Sequence, residues 1–69
     1  MTYRGDGVAF DGAVCKRSTD RAILVEHDDF EDPIWFPQSQ IHDDSEVWEA
    51  GDDGRLVVTK WIAEQKKIV

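Results

Sequence analysis

Near its start the chain alternates apolar and polar residues in the manner of a β-strand. This alternation covers residues 8–17, which read Val-Ala-Phe-Asp-Gly-Ala-Val-Cys-Lys-Arg, and the pair Asp11-Gly12 interrupts it. A polar, turn-forming stretch at 18–20 is followed at 21–26 by Arg-Ala-Ile-Leu-Val-Glu, the most strand-like run in the chain. The pattern therefore predicts a bent or bulged strand, a tight turn and a second strand, which together form a hairpin.

The middle of the chain predicts shorter elements. Residues 28–33 are mostly acidic and end in a proline, which is typical of a polar turn. The apolar residues 34–36 then predict a short third strand, which Pro37 either ends or leaves at the edge of a sheet. Residues 38–41, Gln-Ser-Gln-Ile, indicate a single tight helical turn.

The last third of the chain changes its period. Residues 46–48 predict a possible fourth strand, Asp-Asp-Gly at 52–54 a turn, and Leu-Val-Val at 56–58 the final strand. Beyond Thr59, apolar residues recur at the three- and four-residue spacings of one helix face. We therefore expect Thr59 to cap a short helix over 60–67 that docks on the sheet, with two lysines in its last turn.

These elements predict a mainly β fold in one small domain covering 1–69. Five short strands and a terminal helix favour a small antiparallel barrel or a strongly bent sheet. Adjacent apolar residues at 23–24 and 57–58 indicate strands that are covered on both faces. We expect a core of Val8, Phe10, Val14, Ile23, Val25, Trp35 or Phe36, Ile41, Val47, Val57 and Trp61.

Three stretches of the sequence also resemble known proteins. Residues 34–42 read Ile-Trp-Phe-Pro-Gln-Ser-Gln-Ile-His, and with 21–26 and 54–63 they resemble a group of small phage and prophage proteins. These proteins carry a Trp-apolar-Pro-x-Ser-Gln-apolar motif, followed by an apolar strand and a short helix that contains a tryptophan. The resemblance covers roughly residues 13–67. It implies a phage context and no catalytic residues. Residues 36–39 also resemble the proline-containing helical turn of Src-homology-3 barrels, which implies a Src-homology-3-like barrel.

Composition and charge exclude several classes of protein. The chain has 69 residues, with 8 Lys and Arg against 15 Asp and Glu and a formal net charge of -7. A chain this short has no room for a substrate pocket between domains, so we expect no enzyme. The acidic balance argues against direct binding of nucleic acid, which needs clustered cations. No apolar run approaches the roughly 18 residues of a membrane span, and the start lacks a secretory signal, so we expect a cytoplasmic protein. The resemblance to phage proteins implies that its cell is a bacterial host.

Two histidines are candidates for metal binding or catalysis. His27 and His42 each precede two aspartates, and imidazole beside carboxylate binds zinc or supplies a base. The spacing matches no specific motif, so the ordinary interpretation is two surface imidazoles and no cofactor or metal. The acidic runs at 28–32 and 52–54 lack the alternation of an EF-hand, and we expect only non-specific cation binding there. Cys15, the single cysteine, is expected to be a small buried hydrophobic residue.

The acidic residues themselves form the strongest functional signal. Between Arg21 and Arg55 there is no Lys or Arg, and apolar residues interrupt the acids often enough to predict a folded segment. Carboxylates gathered on one face would imitate a nucleic-acid backbone, and an exposed Trp35 or Phe36 would anchor a protein interface. The expected partner-binding residues are Asp28, Asp29, Glu31, Asp32, Trp35, Asp43, Asp44, Glu46, Asp52 and Asp53.

The sequence thus favours a non-enzymatic inhibitor. Its partner would be a protein with a basic, nucleic-acid-binding site in a host nucleic-acid-processing complex, blocked as an anti-CRISPR or anti-restriction protein would block it. The alternative is a structural module of a phage assembly that self-associates, as a homodimer for example, or docks through Leu24, Val58 or Trp61. A third class, direct nucleic-acid binding through the mildly basic ends of the chain, stays open for a small barrel with exposed aromatic residues.

Overall fold

A computed structural model of the chain describes residues 7–68. Its four strands are β1 (Gly7–Ser18), β2 (Ala22–Glu26), β3 (Ile34–Pro37) and β4 (Asp53–Thr59), and they form one antiparallel sheet in the order β3-β2-β1-β4. A 3₁₀ turn at Gln38–Gln40 follows β3, and helix α1 (Lys60–Gln65) follows β4. The sheet curls into a half-barrel, which confirms the mainly β class, the first hairpin, the helical turn and the terminal helix. No helix in the described part of the chain is long and apolar enough to cross a membrane.

The bulge in β1 determines which side chains face the core. The register with β4 shifts between Phe10 and Ala13, and Gly12 there adopts a φ of 78°. The inserted residue changes the parity of the strand, so Ala13 and Cys15 continue the buried side that Phe10 begins. Val14 consequently faces the opposite, outer side of the sheet, where it is half-buried. The predicted bulge is confirmed, and the predicted core position of Val14 is wrong.

The core fills the inner side of the curled sheet. Leu56 and Val58 face it from β4, whereas Val57 is also fully buried but points to the outer side and lies outside this cluster. Adjacent buried valines confirm the prediction that β4 is covered on both faces. The core cluster comprises Phe10, Ala13, Cys15, Ile23, Val25, Phe30, Phe36, Ile41, Val47, Leu56, Val58, Ile62 and Ala63, with Val8, Ile34 and Ile68 packed against it.

Helix α1 docks through a different residue from the one predicted. The Thr59 hydroxyl accepts a hydrogen bond from the backbone N–H of Ile62, which confirms the predicted cap. Ile62 and Ala63 are buried, but Trp61 is 57% exposed. The six-residue helix buries only the side that carries the isoleucine and the alanine, so the core position predicted for Trp61 is wrong. The helix also ends at Gln65, before the two lysines that were expected in its last turn.

The fourth strand predicted at 46–48 does not form. The N–H groups of Val47 and Val57 donate to the Ser45 hydroxyl, and those of Trp48 and Glu49 donate to one oxygen of the Asp52 carboxylate. Side chains therefore satisfy backbone donors that a strand would direct to its neighbour.

The chain turns slightly earlier than predicted before β4. The turn spans Glu49–Asp52, where the N–H of Asp52 donates to the carbonyl of Glu49 at 3.0 Å and Gly51 has a φ of 96°. The predicted turn at 52–54 is thus wrong by a few residues, and β4 begins at Asp53. The free edge of β4 is covered instead by the segment after the 3₁₀ turn, through a bridge from Ile41 to Val58.

Candidate protein-binding surface

An acidic groove lies where the turn after β2 rises beside the bulge of β1. It has a volume of about 410 Å³, and four of its lining side chains are carboxylates. Within residues 7–68, no Lys or Arg side chain lines it. The lining residues are Gly12, Val14, Glu26, His27, Asp28, Phe30, Glu31, Asp32 and Pro33.

Strand register extends the acidic character across the outer face. Val14 is paired with Glu26 on one side and with Asp53 on the other, so all three side chains point to the same face. Strands lie about 4.8 Å apart, which places Glu26 and Asp53 about 10 Å from each other. Asp53 therefore shares the outer face with Glu26 but does not line the groove. Glu26 was not among the predicted site residues, although it ends a strand whose alternation could have assigned it to this face.

Trp35 lies on the same outer face, in the row of paired residues next to that of Val14. It is paired with Leu24 on β2, which is in turn paired with Arg17 on β1. Trp35 is 42% exposed and Leu24 is half-buried, while Phe36 is fully buried in the core. The structure therefore resolves which of the two adjacent aromatic residues is available to a partner.

The acids of the second loop serve the loop itself. Glu46 accepts a hydrogen bond from the N–H of Arg55 at 3.0 Å, and Asp52 accepts the two described above. The Asp44 carboxylate lies 3.7 Å from Nδ1 of His42 and is largely covered. Of the predicted residues in this loop, Asp43 is exposed and lies outside the groove.

The two histidines build matching turns rather than a metal site. The N–H of Asp29 donates to Nδ1 of His27 at 2.9 Å, and the N–H of Asp44 donates to Nδ1 of His42 at 3.2 Å. In each turn the histidine carbonyl also accepts from the N–H three residues later. The side chains are only 10% and 12% exposed, so the interpretation as surface imidazoles is wrong. Among residues 7–68, no group of three or more His, Cys, Asp or Glu side chains is arranged to hold a metal ion.

His27 also fixes the groove to the sheet. Its Nε2 lies 2.7 Å from the carbonyl oxygen of Asp11, in the bulge of β1. Since Nδ1 accepts from Asp29, Nε2 carries the hydrogen and donates to that oxygen. The ring packs edge-on against Phe10, with the centroids 5.4 Å apart, and stacks at an angle on Phe30. The turn and the bulge, which both contribute lining residues to the groove, are therefore held together.

Among residues 7–68, Arg17 lies on the outer face in the row of Leu24 and Trp35, and other cations lie beside the groove. Lys16 pairs with Glu26 at 3.9 Å, and both side chains are about half exposed. Such a pair contributes little to stability, because solvent screens it. Arg55 bonds Asp11 at 3.0 Å, and neither residue lines the groove. Lysines 66 and 67 line a second groove with Asp29, Glu31 and Asp32, so positive charge flanks one side of the acidic turn.

Cys15 takes no part in this surface. It is buried, and its thiol donates to the carbonyl oxygen of Arg17 at 3.1 Å. Burial raises the pKa of the Cys15 thiol above its ordinary value, and the carboxylate of Asp52 adds to this effect. A neutral, covered thiol confirms the prediction of a small buried hydrophobic residue.

Comparisons with known proteins identify no relative. No protein-family model matches the chain, and neither a curated protein nor a solved structure matches it. The similarity to small phage proteins therefore stays a prediction from sequence motifs, and a function must be argued from the surface itself.

Proposed function

We propose that the protein binds a basic, nucleic-acid-binding site on another protein and thereby blocks it. The observation that carries this proposal is the groove in which Glu26, Asp28, Glu31 and Asp32 converge without a lining Lys or Arg from the described residues. A site built to bind phosphates presents clustered cations, and these would be attracted to such a groove. The exposed Trp35 on the same face supplies an apolar anchor.

The mechanism is competition for one surface. Opposite charges accelerate the encounter and orient the two proteins, and burial of Trp35 then slows dissociation. We propose that this surface belongs to a Src-homology-3-like barrel. In this barrel, the loop that covers the edge of β4 takes the place of a fifth strand. In the phage context that the sequence motifs suggest, the partner is a cytoplasmic host complex that processes nucleic acid, such as a CRISPR or restriction complex.

Charge reversal in the groove tests this proposal. The chain offers a matched pair of variants, because Asp28 and Asp43 follow the histidine in equivalent turns and both are exposed. We expect Asp28→Lys to abolish capture of a nucleic-acid-binding protein from bacterial lysate, and Asp43→Lys to leave it largely intact. Circular dichroism of both variants checks that the fold is unchanged.

Salt dependence and competition complete the test. Raising the ionic strength from about 0.1 M to about 1 M shortens the Debye length from about 10 Å to about 3 Å. We therefore expect the affinity for the captured protein to fall at least about tenfold over this range, and its nucleic acid to displace our protein. Binding that is insensitive to salt, or that leaves the nucleic acid bound, would contradict the proposal.

A structural role in an assembly is a second candidate, which the apolar row of Trp35 and Leu24 favours. Val58 is fully buried and Trp61 is exposed, so of the contacts first considered only Leu24 and Trp61 stay available. This role predicts dimers or larger species in sedimentation experiments at micromolar concentration. The substitution Trp35→Ser should abolish these species. A monomer at all concentrations favours the inhibitor.

A further inference from the structure

We infer that His27 is a proton-sensitive switch that sets the conformation of the turn after β2. In the neutral ring both nitrogens are engaged, Nε2 with the carbonyl oxygen of Asp11 at 2.7 Å and Nδ1 with the N–H of Asp29 at 2.9 Å. A protonated imidazole carries a hydrogen on each nitrogen and accepts no hydrogen bond. The charged ring therefore loses the bond from Asp29.

Protonation keeps one bond of the ring and exchanges the other. Nε2 donates in both charge states, so the ring stays attached to the bulge of β1. A carboxylate oxygen of Asp29 lies 3.8 Å from Nδ1, and this side chain is 70% exposed, so it is free to move closer and accept from the new N–H. The backbone N–H of Asp29 is then left without its acceptor, and the turn adjusts at Asp28 and Phe30, which line the acidic groove.

The packing of the ring keeps this change local. The His27 side chain is only 10% exposed and contacts the rings of Phe10 and Phe30, with centroids 5.4 and 5.2 Å away. Aspartate and glutamate ordinarily titrate near pH 4 and arginine above pH 12, so the imidazole is the group that changes charge between about pH 8 and about pH 5. The other ionisable groups around it, from each element that packs against the ring, are Asp11 of β1, Glu26 of β2, Asp28 and Asp29 of the turn, and Arg55 of β4, which bonds Asp11.

A second turn of the same design supplies an internal comparison. The N–H of Asp44 donates to Nδ1 of His42 at 3.2 Å, and the Asp44 carboxylate lies 3.7 Å from that nitrogen. In both turns, the N–H of the residue three positions after the histidine donates to the histidine carbonyl. His42 does not line the acidic groove, so protonation of its ring should change its own turn and leave the groove as it is.

Nuclear magnetic resonance of the isotope-labelled full chain between about pH 8 and about pH 5 tests the switch. The ring signals of His27 should show a hydrogen on Nε2 alone at the higher pH and on both nitrogens at the lower pH. The backbone amide signals of Asp29 and Phe30 should shift with the same midpoint as that ring, whereas the Asp44 amide should follow the ring of His42. After correction for the intrinsic effect of pH, the protection of the Asp29 amide from hydrogen exchange should fall at least about threefold.

Two asparagine variants assign each change to its histidine. An asparagine oxygen accepts from the N–H two residues later at every pH, so His27→Asn should abolish the shifts of Asp29 and Phe30 and keep that of Asp44. His42→Asn should do the reverse, and it tests the switch with the natural His27 in place. A hydrogen on Nδ1 of His27 at the higher pH, Asp29 shifts that persist in His27→Asn or disappear in His42→Asn, or global unfolding before the ring titrates would overturn the inference. All of these measurements use the free protein, so their outcome does not depend on the proposed partner.

Discussion

Neighbouring residues of the same type have opposite roles in this protein, as Asp52 and Asp53 show. One oxygen of Asp52 accepts hydrogen bonds from the N–H groups of Trp48 and Glu49, at 3.0 and 3.1 Å. Asp53 is exposed and points to the outer face beside Val14. In the sequence they form a single acidic pair, since charge alone does not reveal which carboxylate faces its own backbone.

Substitution of these two aspartates separates their roles. Asp52→Ala leaves two N–H groups of the loop without their acceptor, so we expect it to lower the free energy of unfolding by about 1–3 kcal/mol. Asp53→Ala removes an exposed group and should change it by less than about 0.5 kcal/mol. Urea unfolding followed by tryptophan fluorescence measures both, and equal effects would contradict the assignment.

At the same scale, one inserted residue limits what the sequence predicts. The Asp11-Gly12 pair indicated the bulge correctly, but alternation alone still placed Val14 in the core. For Trp35 and Phe36 the alternation left the choice open, and pairing with the buried Ile23 assigned the inner face to Phe36. The candidate surface depends on both outcomes, because Val14 and Trp35 lie on the outer face.

Elements with a strong local pattern were predictable, and those set by distant side chains were not. The hairpin of β1 and β2 follows from alternation and a polar turn, and the 3₁₀ turn follows from Pro37 and its neighbours. The strand expected at 46–48 failed because Ser45 and Asp52 bond the backbone there. Such side-chain acceptors leave no periodic signal in a sequence.

Strand β3, which the sequence predicts, lies at one edge of the sheet. The N–H of Gln38 donates to the carbonyl of Arg21, so these two residues form a hydrogen-bonded pair. Hydrogen-bonded and non-hydrogen-bonded pairs alternate along an antiparallel ladder, so the N–H and C=O groups of Trp35 point away from β2. Proline stands on both sides of this strand, at 33 and 37, and proline offers no N–H to an incoming strand. A partner therefore contacts the face of the sheet through Trp35 more readily than its edge.

The end of helix α1 carries a strained residue. Ile68 donates to the carbonyl of Ala63 and Lys67 to that of Glu64, which is the Schellman arrangement. Lys67 occupies its left-handed position with a φ of 60°, a conformation that costs a side chain about 1 kcal/mol and glycine almost nothing.

Lys67→Gly should therefore stabilise the protein. We expect the free energy of unfolding in urea to rise by about 0.5–1 kcal/mol, since the strain disappears while the hydrogen bonds stay. Lys66 has an ordinary right-handed conformation, with a φ of -89°, so Lys66→Gly serves as the control and should be neutral or destabilising. A loss of stability in Lys67→Gly would show that the lysine side chain contributes more than its backbone costs.

At the scale of the whole molecule, the sequence shows the run of acidic residues but predicts only part of how their side chains come together. Asp28, Glu31 and Asp32 are close in sequence and line one groove. The approach of Asp53 and Glu26 depends on strand register, which the sequence specifies only once the bulge is placed. The lysines at 66 and 67 line a second groove together with acids of the same turn, which no local pattern indicates.

Global stability should depend on pH through the single buried thiol. Burial holds the pKa of Cys15 above the ordinary value of 9.0, which applies to the unfolded chain. Above that value the thiol of the unfolded chain releases its proton first. The free energy of unfolding, whose thiol contribution is fully present below about pH 9, therefore declines by up to about 1.4 kcal/mol per pH unit until the folded thiol also ionises.

Other groups titrate in this range, so the measurement is the difference in unfolding free energy between the natural protein and Cys15→Ala at several pH values. That difference should decline as the pH rises above about 9, because only the natural protein carries the thiol. Parallel curves for the two proteins would show that the thiol ionises equally in the folded and unfolded states.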